Sequence, residues 1–343
     1  MKKGKFELLG KNKTFIIAEL SANHNNNYEL TVKTIEAMAK AGADAVKIQT
    51  YKPSSLTLNL NTGYFAPRTK GLWKGRTPWD LFSEAAMPYD WQPKLKKVAE
   101  NLGLVFFSSP FDLEGVDFLE SIEVSLYKIA SFEITDIPLI EYVAKKGKPI
   151  IISTGVAELS DIELAIHTCK NVGNNDITLL KCTSEYPASV EQANLLTIPN
   201  LIEIFGLKVG VSDHTIGSTV PVVSVALGAT VVEKHFVLDR DQGGPDASFS
   251  MEPQEFSDMV KAVRETEKAM GKVFYEVPDQ NKLRRRSLFL AKDVKEGELF
   301  TLENVSSVRP GNGLHPKHYF EILGKKAKID LEKGTPLSFD HIT

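Results

Sequence analysis

The sequence predicts an α/β chain, a (β/α)₈ TIM barrel followed by a small second domain. Eight short runs are apolar on both faces, which is typical of parallel strands buried beneath helices. Helix-length stretches separate the runs, and the series spans roughly 270 residues, a length typical of such a barrel. The rival fold, a doubly wound sheet, is disfavoured because no Gly-x-Gly-x-x-Gly motif follows the first run.

The predicted elements follow one another in chain order. The first crossover helix has an apolar stripe within residues 32–39 and ends at Gly42, and residues 253–270 form the last helix of the series. The connection after the second strand, residues 51–87, is long and rich in Pro, Gly, Trp and Tyr, so we expect it to be functional or ordered by a partner. The predicted strands are residues 15–20, 45–50, 105–109, 126–130, 149–154, 177–182, 208–213 and 231–236.

The C-terminal part of the chain differs in character from the barrel. We expect the barrel in residues 1–280 and the small domain in residues 281–343. Residues 293–305 align with residues 330–342, and this internal repeat predicts a pseudo-twofold arrangement of short strands and turns.

Composition and charge exclude several classes of partner. The chain carries a net charge of −3 with no long run of one sign, so neither nucleic acid nor an anionic membrane is implied. No stretch approaches the ~20 apolar residues of a membrane span, and the basic segment 1–7 lacks the apolar core of a signal peptide. The two cysteines, Cys169 and Cys182, fit a reducing compartment, and we expect a cytoplasmic protein.

Two histidines stand at the ends of the last two predicted strands. His214 follows the run 208–213, and His235 follows the apolar start of the run 231–236. Because consecutive parallel strands of a barrel end on the same face, the two imidazoles converge on one point. Imidazole is a common metal ligand, so the pair predicts a metal site, with a structural role as the alternative.

Cations and hydroxyl groups gather at the ends of strands two to five. Lys47 and Lys128 stand near the ends of the second and fourth strands, and small hydroxyl residues occupy the third to the fifth. Ammonium and hydroxyl groups donate to oxyanions, which predicts a pocket for a phosphate or carboxylate. Glu19 in this pocket is a candidate general base, because burial can raise its pKa. The alternative is that these charges form internal ion pairs that close the barrel mouth.

The segment after the first strand offers two further polar candidates, Asn23 and His24. We favour Asn23 as the site residue. His24 either lines the site or orders the loop through hydrogen bonds to the backbone, and the sequence leaves both open.

Taken together, these segments resemble the sialic acid synthase family. The small domain, with RPGNG at residues 309–313, is similar to the antifreeze-like (SAF, β-clip type) domain of that family. The resemblance covers almost the whole chain with several motifs in order, and is therefore specific. The barrel motifs are AELSANHN at residues 18–25, VKIQT at 46–50, SSPF at 108–111, YKIAS at 127–131, ISTG at 152–155, GVSDHT at 210–215 and EKHF at 233–236.

The resemblance implies an enzyme that condenses phosphoenolpyruvate with an open-chain amino-sugar aldehyde, giving a nine-carbon 2-keto acid and phosphate. His214 and His235 would hold a divalent metal that polarises the aldehyde, and Glu19 would be the acid/base residue. Arg309 matches an arginine that reaches from the small domain into the partner subunit's site, which implies a domain-swapped homodimer. The residues implied to bind phosphoenolpyruvate are Lys47, Ser109, Lys128, Ser131 and Ser153, and those implied to contact the sugar are Gln49, Tyr186 and Asp246.

Two departures from the N-acetylneuraminate synthases of this family concern the sugar site. Those enzymes usually carry Glu-Ile-Gly-x-Asn-His in the first motif, where this chain has Ser21 and Ala22 after Glu19 and Leu20. They also carry an asparagine two residues before the strand-six tyrosine, where this chain has Ser184. Both changes resemble the pseudaminic acid synthase branch, whose acceptor is 2,4-diacetamido-2,4,6-trideoxy-L-altrose. Synthases of N-acetylneuraminic or legionaminic acid are the alternatives.

Two further hypotheses come from other classes of function. A Schiff-base aldolase would use Lys47, Lys128 or Lys234 as its nucleophile and would need no metal. A non-catalytic carbohydrate-binding protein is the third hypothesis, and an acid/base residue beside a metal site argues against it. For the metal, two imidazoles with oxygen ligands suit Mn²⁺, Co²⁺ or Mg²⁺, and the nitrogen ligands favour Mn²⁺ over Mg²⁺.

Overall fold

The structure, a computed structural model, describes residues 13–343, so the basic segment 1–7 lies outside the described residues. It groups into two compact units, one ending at Gly271 and one comprising Lys272–Thr343. The boundary expected from the sequence, at residue 280, falls inside the second of these units. Among residues 13–343, no helix has both the length and the apolar character needed to cross a membrane.

Eight strands build the first unit. They are β1 (Phe15–Glu19), β2 (Ala45–Thr50), β3 (Val105–Pro110), β4 (Tyr127–Ile129), β5 (Ile150–Ser153), β6 (Ile177–Cys182), β7 (Lys208–Asp213) and β8 (Val231–His235). All neighbouring pairs are parallel and the sheet closes on itself in chain order, which confirms the predicted (β/α)₈ barrel. Closure places β1 between β2 and β8, so Glu19 lies opposite both Lys47 and His235.

Helices connect the strands and pack on the outside of the barrel. Asn27 caps the helix α1 (Tyr28–Lys40), Asp112 caps α5 (Leu113–Ser121) and Asp136 caps α6 (Ile137–Ala144), each by accepting a hydrogen bond from the backbone of the first turn. The helices of the whole chain are α1 (Tyr28–Lys40), α2 (Pro53–Leu56), α3 (Pro78–Ala85), α4 (Gln92–Asn101), α5 (Leu113–Ser121), α6 (Ile137–Ala144), α7 (Leu159–Asn171), α8 (Thr197–Phe205), α9 (Thr219–Ala226), α10 (Pro253–Met270), α11 (Asp279–Lys282) and α12 (Tyr319–Ile322).

The two-residue alternation of the strands determines which side chains reach the mouth of the barrel. On β1, Phe15 and Ile17 point into a small interior core, while Ile16 and Ala18 pack beneath the helices. The next inward position after Ile17 is Glu19. The same step on the other strands brings polar or thiol side chains to the carboxyl ends, namely Lys47, Gln49, Ser109, Lys128, Ser153, Cys182, Ser212, Glu233 and His235.

The second unit contains an antiparallel pair of strands, β9 (Ser287–Leu290) and β10 (Val305–Val308), and a core of its own. The two copies of the internal repeat meet where Val294 and Leu331 exchange backbone hydrogen bonds of 2.9 and 2.8 Å. Three pairs of corresponding apolar positions are buried in this core, namely Val294 and Leu331, Phe300 and Leu337, and Val305 and Ile342, whereas the corresponding pair Leu302 and Phe339 is exposed.

Candidate active site

A cavity of about 550 Å³ opens at the carboxyl ends of the barrel strands. It unites side chains from β1, β2, β4, β5, β6, β7 and β8 and from the loops that follow them. The residues singled out from the sequence that line it are Glu19, Lys47, Gln49, Lys128, Ser131, Ser153, Ser184, Tyr186, His214, His235 and Asp246.

Two of the expected site residues within the first unit, Asn23 and Ser109, do not line this cavity. Asn23 is buried, and its amide donates to Phe236 O at 2.9 Å and to Ser250 Oγ at 2.8 Å, which fastens the segment after β1. Ser109 points inward from β3, and its buried hydroxyl has no hydrogen-bond partner within residues 13–343. Arg309 is exposed on the second unit.

Two lysines and two carboxylates form a buried charged cluster at the base of the cavity. Lys47 Nζ lies 2.9 Å from Glu19 Oε2 and 3.4 Å from Glu233 Oε1. Lys128 Nζ lies 3.5 Å from the same Glu233 oxygen, which also accepts from Ser212 Oγ at 3.1 Å. All four charged side chains are nearly inaccessible to water. Both lysines nevertheless line the cavity, and the Glu233 carboxylate between them holds them close together.

The pKa of Glu19 is raised from 4.5 to about 7. Burial is the largest cause and raises it, Lys47 opposes that shift, and the neighbouring Glu233 carboxylate raises it further. A carboxyl group with a pKa near neutrality can both give and take a proton, so Glu19 suits general acid–base chemistry.

Hydroxyl groups and a glycine complete the anion pocket. Ser131 Oγ accepts a hydrogen bond from the backbone N–H of Gly155 at 3.1 Å. A side chain at position 155 would collide with Ser184 Oγ and Ser131 Oγ, so only glycine allows this close approach. Ser153 Oγ is buried without a hydrogen-bond partner among the described residues, and a bound oxyanion would satisfy it.

The two histidines meet beside the buried charged cluster, with ring centroids 5.2 Å apart. His214 Nδ1 lies 2.8 Å from the Thr183 carbonyl oxygen, so it carries the proton and leaves Nε2 free as a ligand. His235 Nδ1 is buried and has no hydrogen-bond partner in the described chain. Burial, followed by the nearby His214 and Lys47, lowers the pKa of His235 well below its usual value and keeps the ring neutral.

These two imidazoles fit a divalent metal. Within residues 13–343 no third His, Cys, Asp or Glu completes a ligand group with them. Water and substrate oxygens would have to supply the remaining positions, as is common where a metal must accept a substrate. An unpartnered imidazole nitrogen beside a second, correctly oriented ring is the observation that supports this fit.

A hydrogen-bonded network of uncharged and acidic side chains lies at the β1 end of the cavity. Ser21 Oγ donates to Asp246 Oδ2 at 2.5 Å, and Gln49 Nε2 donates to Ser21 Oγ at 3.0 Å. Tyr186 lies nearby, its ring centroid 4.3 Å from that of His214. The expected sugar contacts Gln49, Tyr186 and Asp246 thus all line the cavity.

The long connection after β2 folds over the mouth. Trp73 Nε1 donates to Pro245 O at 3.1 Å, and Tyr51 packs edge-on against Phe82 and Phe111. All four aromatic side chains line the cavity, together with Leu56, Leu81 and Arg68.

His24 orders this connection and does not line the cavity. Its Nδ1 accepts from the backbone N–H of Asn26 at 3.1 Å, and its Nε2 lies 3.0 Å from the carbonyl oxygen of Ala85. Burial lowers the pKa of His24, in keeping with a neutral ring that donates from Nε2. Of the two roles left open by the sequence, the structure shows the second.

Several cavity residues had no role assigned from the sequence. Glu233 is one, although counting two residues back from His235 along a strand would have identified it as inward-facing. Glu133 is another, and burial raises its pKa to about 7. Ser21 and Trp73 join the site through contacts with Asp246 and Pro245, far away in the sequence, and no local pattern reveals those contacts.

Comparisons with known proteins agree with this architecture. The NeuB family profile matches residues 34–275, and the SAF domain profile matches residues 285–343. A protein named pseudaminic acid synthase from Helicobacter pylori is 45% identical over 331 residues, which cover 95% of this chain and 97% of that protein. A protein of the same name from Campylobacter jejuni is 47% identical over 328 residues, 95% of each.

Solved structures agree as well. The crystal structure of N-acetylneuraminic acid (sialic acid) synthetase from Leptospira borgpetersenii, in complex with citrate, matches with a TM-score of 0.71 at 31% identity. That match covers 79% of this chain and 90% of the other. The spore coat polysaccharide biosynthesis protein SpsE of Bacillus subtilis matches with a TM-score of 0.66 at 32% identity, over 96% of this chain and 95% of that one.

Proposed function

The chain belongs to the NeuB family, and from that premise we propose that it condenses phosphoenolpyruvate with 2,4-diacetamido-2,4,6-trideoxy-L-altrose to give pseudaminic acid and phosphate. The reaction is a transferase-type step that forms a carbon–carbon bond. The observation that carries the proposal is the identity of 45% and 47% to two pseudaminic acid synthases over 95% of the chain. The lysine pair, Glu19 and the histidine pair in one cavity supply the groups that this chemistry needs.

Phosphoenolpyruvate binds at the cluster of Lys47, Lys128, Glu19 and Glu233. When Glu19 is protonated, the two ammonium groups outnumber the remaining carboxylate, and an anionic substrate neutralises the excess charge. The negative charge of the bound substrate in turn favours the protonated form of Glu19. Substrate binding therefore prepares Glu19 as a general acid.

The reaction forms one carbon–carbon bond and breaks one carbon–oxygen bond. C3 of phosphoenolpyruvate attacks the aldehyde carbon, and Glu19 donates its proton to the aldehyde oxygen. Water then adds at C2, and the Glu19 carboxylate accepts the proton that this water loses. The tetrahedral intermediate collapses to the ketone, the bond between C2 and the bridging oxygen breaks, and phosphate leaves with that oxygen and the hydroxyl proton.

We assign the metal to His214 and His235, with Mn²⁺ favoured over Co²⁺ and Mg²⁺. When bound, the cation would act as a Lewis acid on the aldehyde oxygen. His214 keeps its orientation through the Thr183 carbonyl, so the ring nitrogen that faces the cavity needs no rearrangement to bind.

We also propose that Arg309 acts in the site of a partner subunit of a homodimer, as the family resemblance implies. Mixed dimers test this. An Arg309→Ala chain and a Glu19→Gln chain are each expected to be inactive alone, and exchange of subunits should restore about a quarter of the wild-type activity. The restored site would combine Glu19 from one chain with Arg309 from the other. If Arg309 served its own subunit, mixing would restore nothing.

A phosphate-release assay with a panel of acceptors tests the proposed reaction. With phosphoenolpyruvate and Mn²⁺, the trideoxy altrose should release phosphate faster than N-acetylmannosamine or the acceptor of legionaminic acid synthases. Turnover of N-acetylmannosamine and of no other acceptor would overturn the proposed acceptor sugar and leave the family assignment intact. A covalent adduct trapped by borohydride on Lys47 or Lys128 would instead support the Schiff-base aldolase.

The cytoplasm is the proposed location. Cys169 and Cys182 are free and buried, so neither of them forms a disulfide in the described chain. Free thiols are typical of a reducing compartment. Fractionation of cells that make the protein would check this location, since we expect it with the cytoplasmic enzymes.

A further inference from the structure

Ser21 holds a backbone conformation that side chains disfavour. Its φ of 49° lies in the left-handed region, which glycine adopts readily and in which a residue with a Cβ is strained. Ser21 is also 4% exposed and lines the cavity. A strained, buried serine in an active site indicates that its side chain has a use there.

The Ser21 hydroxyl joins two cavity side chains. It donates to Asp246 Oδ2 at 2.5 Å and accepts from Gln49 Nε2 at 3.0 Å. The same Asp246 oxygen accepts from the backbone N–H of Ala22 at 3.2 Å. Two donors from the protein therefore already satisfy this carboxylate oxygen, and a hydroxyl of the substrate is not needed to do so.

This network borders an apolar sector of the cavity. Tyr51 follows Gln49 by two residues, and its ring packs against Phe82 and Phe111, with Leu81 also lining the wall. These residues follow β2 and β3, whereas the histidine pair sits on β7 and β8, further round the closed barrel. An acceptor that spans the cavity with its aldehyde at the histidines would bring its distal carbon to the apolar sector.

We propose that Ser21 is a specificity-determining residue that selects acceptors lacking a hydroxyl at the distal carbon, C6. The inference rests on the proposed condensation, and it names the protein side chain that distinguishes 6-deoxy acceptors from 6-hydroxy acceptors. Ser21 engages Asp246 Oδ2 in place of an acceptor hydroxyl, and the apolar wall receives the methyl group. A C6 hydroxyl would lose hydration in this sector and find Asp246 Oδ2 already engaged.

Two substitutions separate the hydroxyl of Ser21 from its backbone strain. Ser21→Gly removes the hydroxyl and the strain together, and Ser21→Ala removes the hydroxyl and keeps the strained Cβ. Each variant is assayed with a matched pair of 2,4-diacetamido acceptors that differ only in having hydrogen or hydroxyl at C6. For both variants we expect kcat/KM for the 6-hydroxy acceptor, relative to the 6-deoxy acceptor, to rise on the order of tenfold or more.

The control is Glu123→Gly, which relieves a φ of 56° at an exposed position that does not line the cavity. It should leave the ratio between the two acceptors unchanged. An unchanged ratio in Ser21→Gly and Ser21→Ala, with thermal unfolding showing both folded, would overturn the role of Ser21. Failure of the wild-type protein to use either acceptor with phosphoenolpyruvate would instead overturn the proposed condensation.

Discussion

Several buried charged residues in this barrel provide chemically reactive groups and lower the stability of the fold. Glu19, Lys47, Lys128 and Glu233 occupy inward positions where an apolar side chain would continue the interior core. Their mutual ion pairs offset part of the cost of burial, and the raised pKa of Glu19 shows that the offset is incomplete. The site therefore holds at least one carboxyl group, that of Glu19, whose neutral form is favoured by its burial in the fold.

Replacement of Glu19 by glutamine should stabilise the substrate-free protein above neutral pH. The folded-state pKa is raised to about 7 from 4.5, so the contribution of Glu19 to the free energy of unfolding is full below pH 4.5 and is lost as the pH rises through 7. Glutamine mimics the protonated carboxyl and avoids this loss, which amounts to ~3 kcal/mol. Thermal unfolding at pH 5.5 and pH 8.5, with chelator present, should show the gain in Tm growing with pH.

Glu123→Gln, at an exposed position, is the control for this series and should give the same difference from wild type at both pH values. A gain in Tm that is equal at both pH values in Glu19→Gln would contradict the raised pKa.

His235→Ala should lose metal and turnover together, because one of two protein ligands disappears. Bound Mn²⁺ per chain, measured by atomic emission after dialysis, should fall at least tenfold, in line with the loss expected for disturbing a metal site. His167→Ala, on an exposed face of α7, is the matched control and should keep wild-type metal content. Full activity of His235→Ala after chelation would refute the metal role of this pair.

At this scale, strand patterning predicted the inward polar residues well. Each of these residues, Glu19, Lys47, Lys128 and His235, lies near the carboxyl end of a run that predicts a buried strand, and functional side chains of a barrel gather at those ends. Ser21 was visible only as a departure from a motif, because its bond to Asp246 joins residues 225 positions apart. Asn23 was favoured over His24 as the site residue, and in the structure its amide donates to Phe236 and Ser250.

Among the elements, the connection between β2 and α4 contributes most to the shape of the site. Its length predicted a functional role, and the structure folds it into α2, α3 and two short 3₁₀ turns. Three of its aromatic side chains, Tyr51, Trp73 and Phe82, line the cavity. Helices of four to eight residues are too short to show the apolar periodicity that predicts longer ones. Contacts distant in the sequence hold the connection in place instead, from Trp73 to Pro245, from Tyr51 to Phe111 and from Ala85 to His24.

Trp73→Phe should weaken acceptor binding while sparing phosphoenolpyruvate. The substitution keeps an aromatic ring near Tyr186 and removes the Nε1 hydrogen bond to Pro245 O. Loss of one such bond corresponds to a two- to tenfold rise in KM for the acceptor. Steady-state kinetics with each substrate varied in turn would measure this.

The control is Trp91→Phe, because Trp91 contacts Tyr28 and His24 and does not line the cavity. This substitution should leave both KM values near those of the wild type. An equal rise in both KM values for Trp73→Phe would show that this connection does not act selectively on the acceptor side.

At the scale of the whole molecule, two kinds of repetition made the fold predictable. Eight alternating units predicted the closed barrel, and strand bounds differ from expectation by no more than a residue or so at most ends. The duplicated segment in the second unit predicted equivalent turns, and Gly297 and Gly334 occupy them with φ of 80° and 88°. Contacts between subunits leave no such pattern in a single chain, so the role of Arg309 rests on resemblance.

The central claim is that this barrel mouth joins phosphoenolpyruvate to a sugar aldehyde and expels phosphate by breaking the bond at C2. Phosphoenolpyruvate labelled with ¹⁸O at the oxygen that bridges C2 and phosphorus tests it directly. With the trideoxy altrose acceptor and Mn²⁺, we expect the label in the released phosphate, formed in equal amount with the nine-carbon keto acid. Phosphate released without the label, or no phosphate release with any amino-sugar aldehyde, would contradict the account.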